Sequence, residues 1–376
     1  MNFMDLELTN DQELLRDTSA RFIRTHHPLA EVRELASSLD GVPSGYLRDG
    51  ANLGWFAMLV PEALGGGSVS GEGLRDLAII AEERGRGLQP GPFVPMNVVA
   101  SALAARGSEA QHEILAEIVA GEAVATWVAA ERAGDWLPGR AVRAEATGDG
   151  FVLCGGADVV QDAALADWFL VTAGGADGLS QFLVPASAPG IAVLPRDGHD
   201  VTQRFASVSF DNVVMPATAL LGAVGAAADD VERQLQVAIV LSVAEAVGTM
   251  DTLFEMARAY AVDRIAFGRP IGSFQAVKHQ LADMSLSVEA SKAIAAAATR
   301  AVQVESFDSG VTASMAKTWV ADASIDVAQG CFQVFGGIGF TWEHDSHLFL
   351  RRLTMNSLLF GQPDWHRERI CALSGV

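Results

Sequence analysis

The hydrophobic period of this chain changes twice along its length, and that alternation limits the possible folds more than any single residue does. From about residue 9 to 125 the apolar positions recur at helical spacing. "TNDQELLRDTSARFI" sets Leu14, Leu15, Thr18 and Phe22 on one face, behind Thr9 or Asn10 as N-cap. "SGEGLRDLAIIAEERG" and "SEAQHEILAEIVAGE" read the same way. From about 126 to 220 the period falls to two. "ATWVAA", "AVRAEA", "FVLCGG", "WFLVTA", "SQFLVPA", "IAVLPR" and "ASVSFDNVVMP" are short runs separated by turns such as "TGDG" and "GADG". No helical segment lies between them, which argues for an antiparallel barrel or sandwich and against a parallel βαβ sheet. From about 229 the helical period returns in longer segments. Asp229 or Asp230 caps a helix running to about Arg264, and Ser273 caps the next. "SGVTASMAKTWVADASIDVAQGCFQVF" and "SHLFLRRLTMNSLLF" follow, and four long antiparallel helices make a bundle. The expected fold is α+β and multi-domain: an N-terminal helical domain (1–125), a central antiparallel β domain (126–228) and a C-terminal four-helix bundle (229–376).

Charge and composition exclude several functions. The formal net charge is −20, so a polyphosphate backbone is repelled at long range and nucleic acid is not an expected partner. An anionic small ligand needs a local Arg or Lys cluster. The start, "MNFMDLELTNDQELLRD", has neither a basic nor an apolar leader region, and the longest apolar stretch, "VAIVLSVAEAVG", is interrupted by Glu245. No membrane span and a cytoplasmic location are therefore expected. Cys154, Cys331 and Cys371 stand far apart without CxxC spacing. In "EHDSH", His344 and His347 can share a metal-binding face or belong to a capped helix start; no second ligand cluster accompanies them, so no metal is expected.

The stretch "DRIAFGRPIGSFQAVKHQLADM", Asp263 to Met284, is more particular. One helix ends at Arg264, a Phe-Gly-Arg-Pro-Ile-Gly break follows, and a new helix opens near Gln275. A guanidinium at that place can hold a pyrophosphate with two hydrogen bonds, and the following helix N-terminus favours an anion. The alternative is a helical hairpin in which Arg264 pairs with Asp263. "GGIGF" by itself suggests a helix C-terminus that needs φ > 0.

Together these segments resemble the acyl-CoA dehydrogenase family over nearly the whole chain. "LTNDQELLRDTSARFI", "LGWFAMLVPEALGG", "AEERGRG", "SVSFDNVVMP", "DRIAFGRPIGSFQAVKHQLADM" and "CFQVFGGIGFTWEHDSHLFLRR" look like that family's segments in its order. The resemblance implies FAD as cofactor, an acyl-CoA thioester as substrate, an electron-transfer flavoprotein as acceptor and a tetrameric assembly. By motif position Arg264, Phe267 and Gln275 look like the residues that hold the FAD of a neighbouring subunit. Gln333, Gly336 and Gly337 look like the segment against its ADP part. Family chemistry removes an α proton and a β hydride; the hydride goes to the flavin, while the proton needs a carboxylate on the opposite face.

That carboxylate is missing where the resemblance places it. One family position falls on Phe360, followed by Gly361 and Gln362, and the other falls on Ala238. Glu245 lies two turns further along the same helix, in an apolar run. A buried carboxylate there is either a base or half of a structural ion pair. Glu232 and Asp364 are further acids to weigh. Where the family has a Trp-Ile-Thr or Trp-Ile-Ser run against the flavin ring, this chain has Val159, Val160 and Gln161; where it has Thr-Glu-Pro, it has Ala130, Glu131 and Arg132. Small residues at Ala238, Ser242 and Ala246 offer room for a bulky acyl group. The pattern resembles high-GC bacterial members that pair two unlike subunits as α2β2 enzymes. The expected function is FAD-dependent α,β-dehydrogenation of an acyl-CoA to the 2-enoyl-CoA, as a subunit without its own usual base, in a homo- or hetero-tetramer. A self-sufficient enzyme using Glu245, a flavin-poor binding subunit, and an oxidase or monooxygenase on the same fold are the alternatives.

Overall fold

The first helix begins where its local chemistry says it should. Thr9 accepts from the Gln12 backbone and Gln12 reaches back to the Thr9 N–H, a complete capping box that opens α1 (Asn10–His26). The structure is a computed structural model that describes residues 7–36, 41–43, 45–130 and 136–375. Five helices follow: α2 (Leu29–Leu35), α3 (Tyr46–Asn52), α4 (Gly73–Arg86), α5 (Phe93–Arg106) and α6 (Glu109–Val119). Ser108 and Gln111 form a second capping box at the start of α6.

Eight strands come next: β1 (Ala125–Val128), β2 (Gly139–Ala146), β3 (Gly150–Gln161), β4 (Trp168–Gly175), β5 (Gly178–Pro185), β6 (Ile191–Arg196), β7 (Phe205–Pro216) and β8 (Leu220–Leu221). They form one sheet in the order β6-β7-β3-β2-β4-β5-β8, with β1 added beside β4. Neighbours are antiparallel except β1·β4 and β2·β4, which run parallel. The expected antiparallel sheet is thus present, with two parallel joins that period-two patterning does not reveal. Its inner faces have their own apolar core, including Phe151, Phe169, Phe182 and Phe210.

The last part is α7 (Ala228–Asp263), a short hairpin of β9 (Ile265–Ala266) and β10 (Arg269–Pro270), then α8 (Gln275–Gln303), α9 (Ser309–Phe335), α10 (Ser346–Leu358) and α11 (Pro363–Ser374). Two expected caps differ. Asp229 and Asp230 sit inside the first turn of α7, where Asp230 bonds Arg106 at 3.0 Å, and the cap position is Ala227. Ser273 donates to the Pro270 carbonyl at 2.7 Å, and extended Phe274 precedes α8. In both places a nearby partner competes with the cap bond.

Helix α7 is long and apolar enough to cross a bilayer, yet 94% of that stretch is buried inside the protein. It crosses α4 at very short range. A Cβ at Gly85 would lie 2.0 Å from the Glu245 carbonyl, and one at Gly248 would lie 2.0 Å from the Glu82 carbonyl. The two glycines therefore set the helix separation, and Thr249 closes the crossing with a 3.1 Å bond to Gly85 O. This crossing joins the N-terminal helices and the bundle into one apolar core.

Candidate active site

Phe360 lies in the turn between α10 and α11, and its backbone is left-handed, with φ 60° followed by Gly361 at φ 100°. A non-glycine residue pays about 1–2 kcal/mol for that conformation. Two contacts hold it there. His366 meets the Phe360 carbonyl through Nε2 at 3.0 Å, and burial pushes that imidazole down to about 3, so it is neutral. The phenyl ring packs on Trp136, centroids 6.2 Å apart, and Trp136 packs in turn on Trp127 at 5.0 Å.

These aromatic side chains border a pocket of about 50 Å³ between the three parts of the chain. Its other walls include Pro95 of α5, Thr126 of β1, Val159, Val160 and Gln161 at the end of β3, and Leu359. The Thr126 hydroxyl donates to Gln161 O at 2.7 Å, which fixes the β3 end against β1. No carboxylate is among the described lining residues. Pockets that take drug-sized ligands measure roughly 300 Å³ or more, so this one holds only a few waters as it stands. Ala130 borders it, while Glu131 and Arg132 lie outside the described residues. Sequence reasoning missed Trp136 along with Pro95, Thr126, Trp127, Ala129 and Leu359; Trp136 sits in a loop where no periodicity marks it.

Glu245 points elsewhere. It is 7% exposed and bonded to Arg352 of α10. Arg352 has no exposed surface, and all three of its guanidinium nitrogens donate. Besides Glu245 it reaches Asp200 at 2.6 Å, Thr202 at 2.6 Å, and the carbonyls of Leu88 and Gln89 at 3.2 and 3.3 Å. Burial opposes this charge, but Asp200 and Glu245 outweigh it and hold the guanidinium above its usual value. The network ties α7, α10, the β6–β7 connection and the α4–α5 connection together. Of the two readings open for Glu245, its contacts are those of an ion pair. Glu232 likewise bonds Arg369, and Asp364 bonds Arg367 at 2.5 Å.

Close by is a carboxyl with no such partner. Asp162 directly follows the pocket-lining Gln161, is 2% exposed, has φ 49°, and leaves its Oδ1 without a hydrogen bond among the described residues. Burial raises it to about 7, with Arg84, Arg204 and Arg352 pulling the other way. Sequence reading passed over it because one acid after a strand looks like any turn residue.

Arg264, Phe267 and Gln275 are arranged differently. Arg264 follows α7 and is exposed, with no hydrogen bond or ion pair from its side chain among the described residues, so Asp263 does not hold it. Phe267 is 95% exposed at the tip of the β9–β10 hairpin. Phe267 and Gly268 both have positive φ, 52° and 77°, a two-residue turn that ordinarily selects Asn-Gly. Phe274 packs on Phe267 at 6.2 Å and lies 4.0 Å under the Arg269 guanidinium. Gln275 is exposed at the first position of α8, where backbone N–H groups lack helical partners. Gln333 and Gly337 are also exposed, and Gly336 ends α9 at φ 64°, ψ −141°, a conformation that glycine tolerates best. None of these six residues lines the Phe360 pocket. Ala238, Ser242 and Ala246 do not line it either, and they are buried in the bundle. His344 and His347 meet Ser346 Oγ at 2.9 Å and Trp342 O at 3.2 Å.

Two family models match this chain: the acyl-CoA dehydrogenase N-terminal domain over residues 9–122 and the acyl-CoA dehydrogenase C-terminal domain over residues 228–373. The chain is 29% identical to acyl-CoA dehydrogenase IpdE2 of Mycolicibacterium smegmatis, covering 96% of this chain and 98% of the relative. Among solved structures it superposes on a variant of the Tcur3481-Tcur3483 steroid ACAD with TM-score 0.87 and 27% identity, covering 97% and 98% of the two chains. It also superposes on the ChsE4-ChsE5 complex of Mycobacterium tuberculosis with TM-score 0.89 and 25% identity, covering 100% and 99%.

Proposed function

This chain belongs to the acyl-CoA dehydrogenase family, FAD-dependent oxidoreductases, and from that premise we propose that it works as one subunit of an assembly with a homologous chain. In this reading it lends Arg264, Phe267, Gln275, Gln333, Gly336 and Gly337 to an FAD centred on the neighbour. The neighbour supplies the ring pocket and the base.

One contrast carries the proposal. Arg264, Gln275 and Gln333 are exposed and their side chains have no hydrogen-bond or ion-pair partner among the described residues, whereas the pocket at Phe360 is narrow and aromatic and has no carboxylate among its described lining residues. The donor set fits its half of the cofactor. An exposed guanidinium without a partner among the described residues, on the segment that leads into α8, matches a pyrophosphate, and an exposed aromatic tip matches an apolar surface of a second subunit. The ring side does not fit: a tricyclic ring with a thioester beside it needs far more than about 50 Å³ and requires Trp136 or Phe360 to move. Flavin N5 supplies the hydride acceptor in this family. What this chain's own residues contribute is binding and positioning. Using Glu245 as a base would mean breaking its bond to Arg352 and leaving a buried guanidinium half-paired, which is costly.

The similarity to the Tcur3481-Tcur3483 and ChsE4-ChsE5 pairs supports a mixed assembly as the kind of partnership to look for. The substrate is then an acyl-CoA thioester held mainly by the partner, with electrons passing on to an electron-transfer flavoprotein, in the cytoplasm. The test is to purify the chain alone and with a homologous partner, and to record flavin absorbance and its bleaching by acyl-CoA. The expected result is little flavin and no turnover alone, and both with the partner. Full flavin occupancy and turnover by the lone chain would overturn the reading. A mixed complex that stays colourless would favour a flavin-poor binding subunit.

A further inference from the structure

A second, smaller cavity lies inside the bundle between α7, α9 and α10, away from the pocket at Phe360. It measures about 10 Å³, room for one water-sized body. Lys317 of α9 projects into it, 2% exposed, and donates one proton to the Asn356 carbonyl of α10. That carbonyl lies just beyond the last bond of α10, Leu359 N to Met355 O, so Lys317 caps the helix that leads into Phe360. No carboxylate pairs with Lys317 among the described residues. Glu245 on α7 is committed to Arg352, and the titratable group on the α11 side, His366, is neutral.

A buried ammonium without a counter-charge is rare, because burial of a charge is tolerated when it is paired. The rest of the cavity wall offers donors. The Asn356 side chain is 3% exposed, and neither end of its amide has a partner. Ser242 Oγ makes no hydrogen bond among the described residues, whereas Ser324 and Ser357 have spent their protons on the Ala321 and Thr354 carbonyls. Two free ammonium protons, an amide NH2 and a hydroxyl thus converge on one small space.

We propose that this cavity is a binding site for a single monovalent anion of halide size, held by Lys317, Asn356 and Ser242 beneath the turn that carries Phe360. Its volume excludes phosphate, sulfate and organic carboxylates. Such an anion keeps Lys317 charged, which otherwise drifts toward neutrality since burial lowers it to about 7, and it firms the cap on α10.

Bromide is the probe. Crystals of the full chain grown in bromide should show an anomalous peak between Lys317 Nζ and the Asn356 side chain. In solution at constant ionic strength, with gluconate as the bulky balancing anion, bromide should raise stability by RT ln(1 + [Br⁻]/Kd), so that the unfolding midpoint climbs logarithmically once bromide exceeds Kd. Lys317→Met should abolish that response. Asn356→Asp places a carboxylate beside the ammonium and should also abolish it while keeping the protein folded, so the test survives if Lys317→Met does not fold. A cavity without an anomalous peak, or a bromide response unchanged in Asn356→Asp, overturns the proposal.

Discussion

Arg352 has no exposed surface and every guanidinium nitrogen is placed; Arg264 is exposed and its guanidinium meets no partner among the described residues. Both belong to the bundle half of the chain, and both are always charged. What separates them is where their partners come from. Arg352 finds two carboxylates, a hydroxyl and two carbonyls within its own chain, so its charge is spent on holding three parts of the fold together. Arg264 finds none, so its charge is available to something the chain does not contain. The same division separates the pocket at Phe360, filled from within by Trp136, from the hairpin tip at Phe267, which faces outward.

The division predicts opposite responses to mutation. The largest effect belongs to Arg352→Met, which leaves Asp200 and Glu245 buried without their cation and should cost about 3–5 kcal/mol. Thermal unfolding and urea midpoints read it; a loss under 1 kcal/mol would mean the network is not the scaffold described above. Asp162→Asn comes next, and its effect depends on pH. The folded-state value of about 7 lies above the ordinary value of 3.8, so the folded form binds this proton more tightly. The stability Asp162 contributes is therefore full below about pH 4 and lost as pH rises through 7. Three pH units at about 1.4 kcal/mol each put the upper bound near 4 kcal/mol. The asparagine variant should match the parent at pH 4 and exceed it at pH 8. Equal midpoints at both values would show that Asp162 finds a partner.

Smaller effects test the outward-facing side. Arg264→Ala should leave stability within about 0.5 kcal/mol of the parent, because its exposed side chain makes no hydrogen bond or ion pair among the described residues. In the mixed assembly it should weaken FAD retention roughly 10- to 100-fold, the worth of charge-assisted hydrogen bonds. Phe360→Glu is expected to change least. It restores a carboxylate at the family position, but Trp136 still borders a pocket of about 50 Å³, so the lone chain should stay inactive toward acyl-CoA. Turnover from this single change would show that only the base was missing.

Sequence alone revealed the fold because its signals are local and repeated. The period changes, the Thr9 capping box and the ordered family segments each need only neighbouring residues. The sequence could offer candidates for the site where a motif carried them, at Arg264 and Gln275, and where a residue type was out of place, at Phe360. It was not legible where meaning depends on distant partners. Glu245 reads as a base or an ion pair until Arg352, 107 residues away, is placed beside it. Trp136 and Lys317 carry no pattern of their own, and their roles come from the cavities that they border. Ser273 misled because a hydroxyl before a helix suggests a cap, while here it bonds the Pro270 carbonyl.

The most direct test places the Arg264→Ala change in this chain only, within the assembly formed with an unmodified homologous partner, and measures flavin absorbance per complex after gel filtration. The account predicts an intact complex that has lost most of its flavin and its acyl-CoA-dependent bleaching. Retention of full flavin and turnover would contradict the claim that this chain holds a cofactor centred on its neighbour.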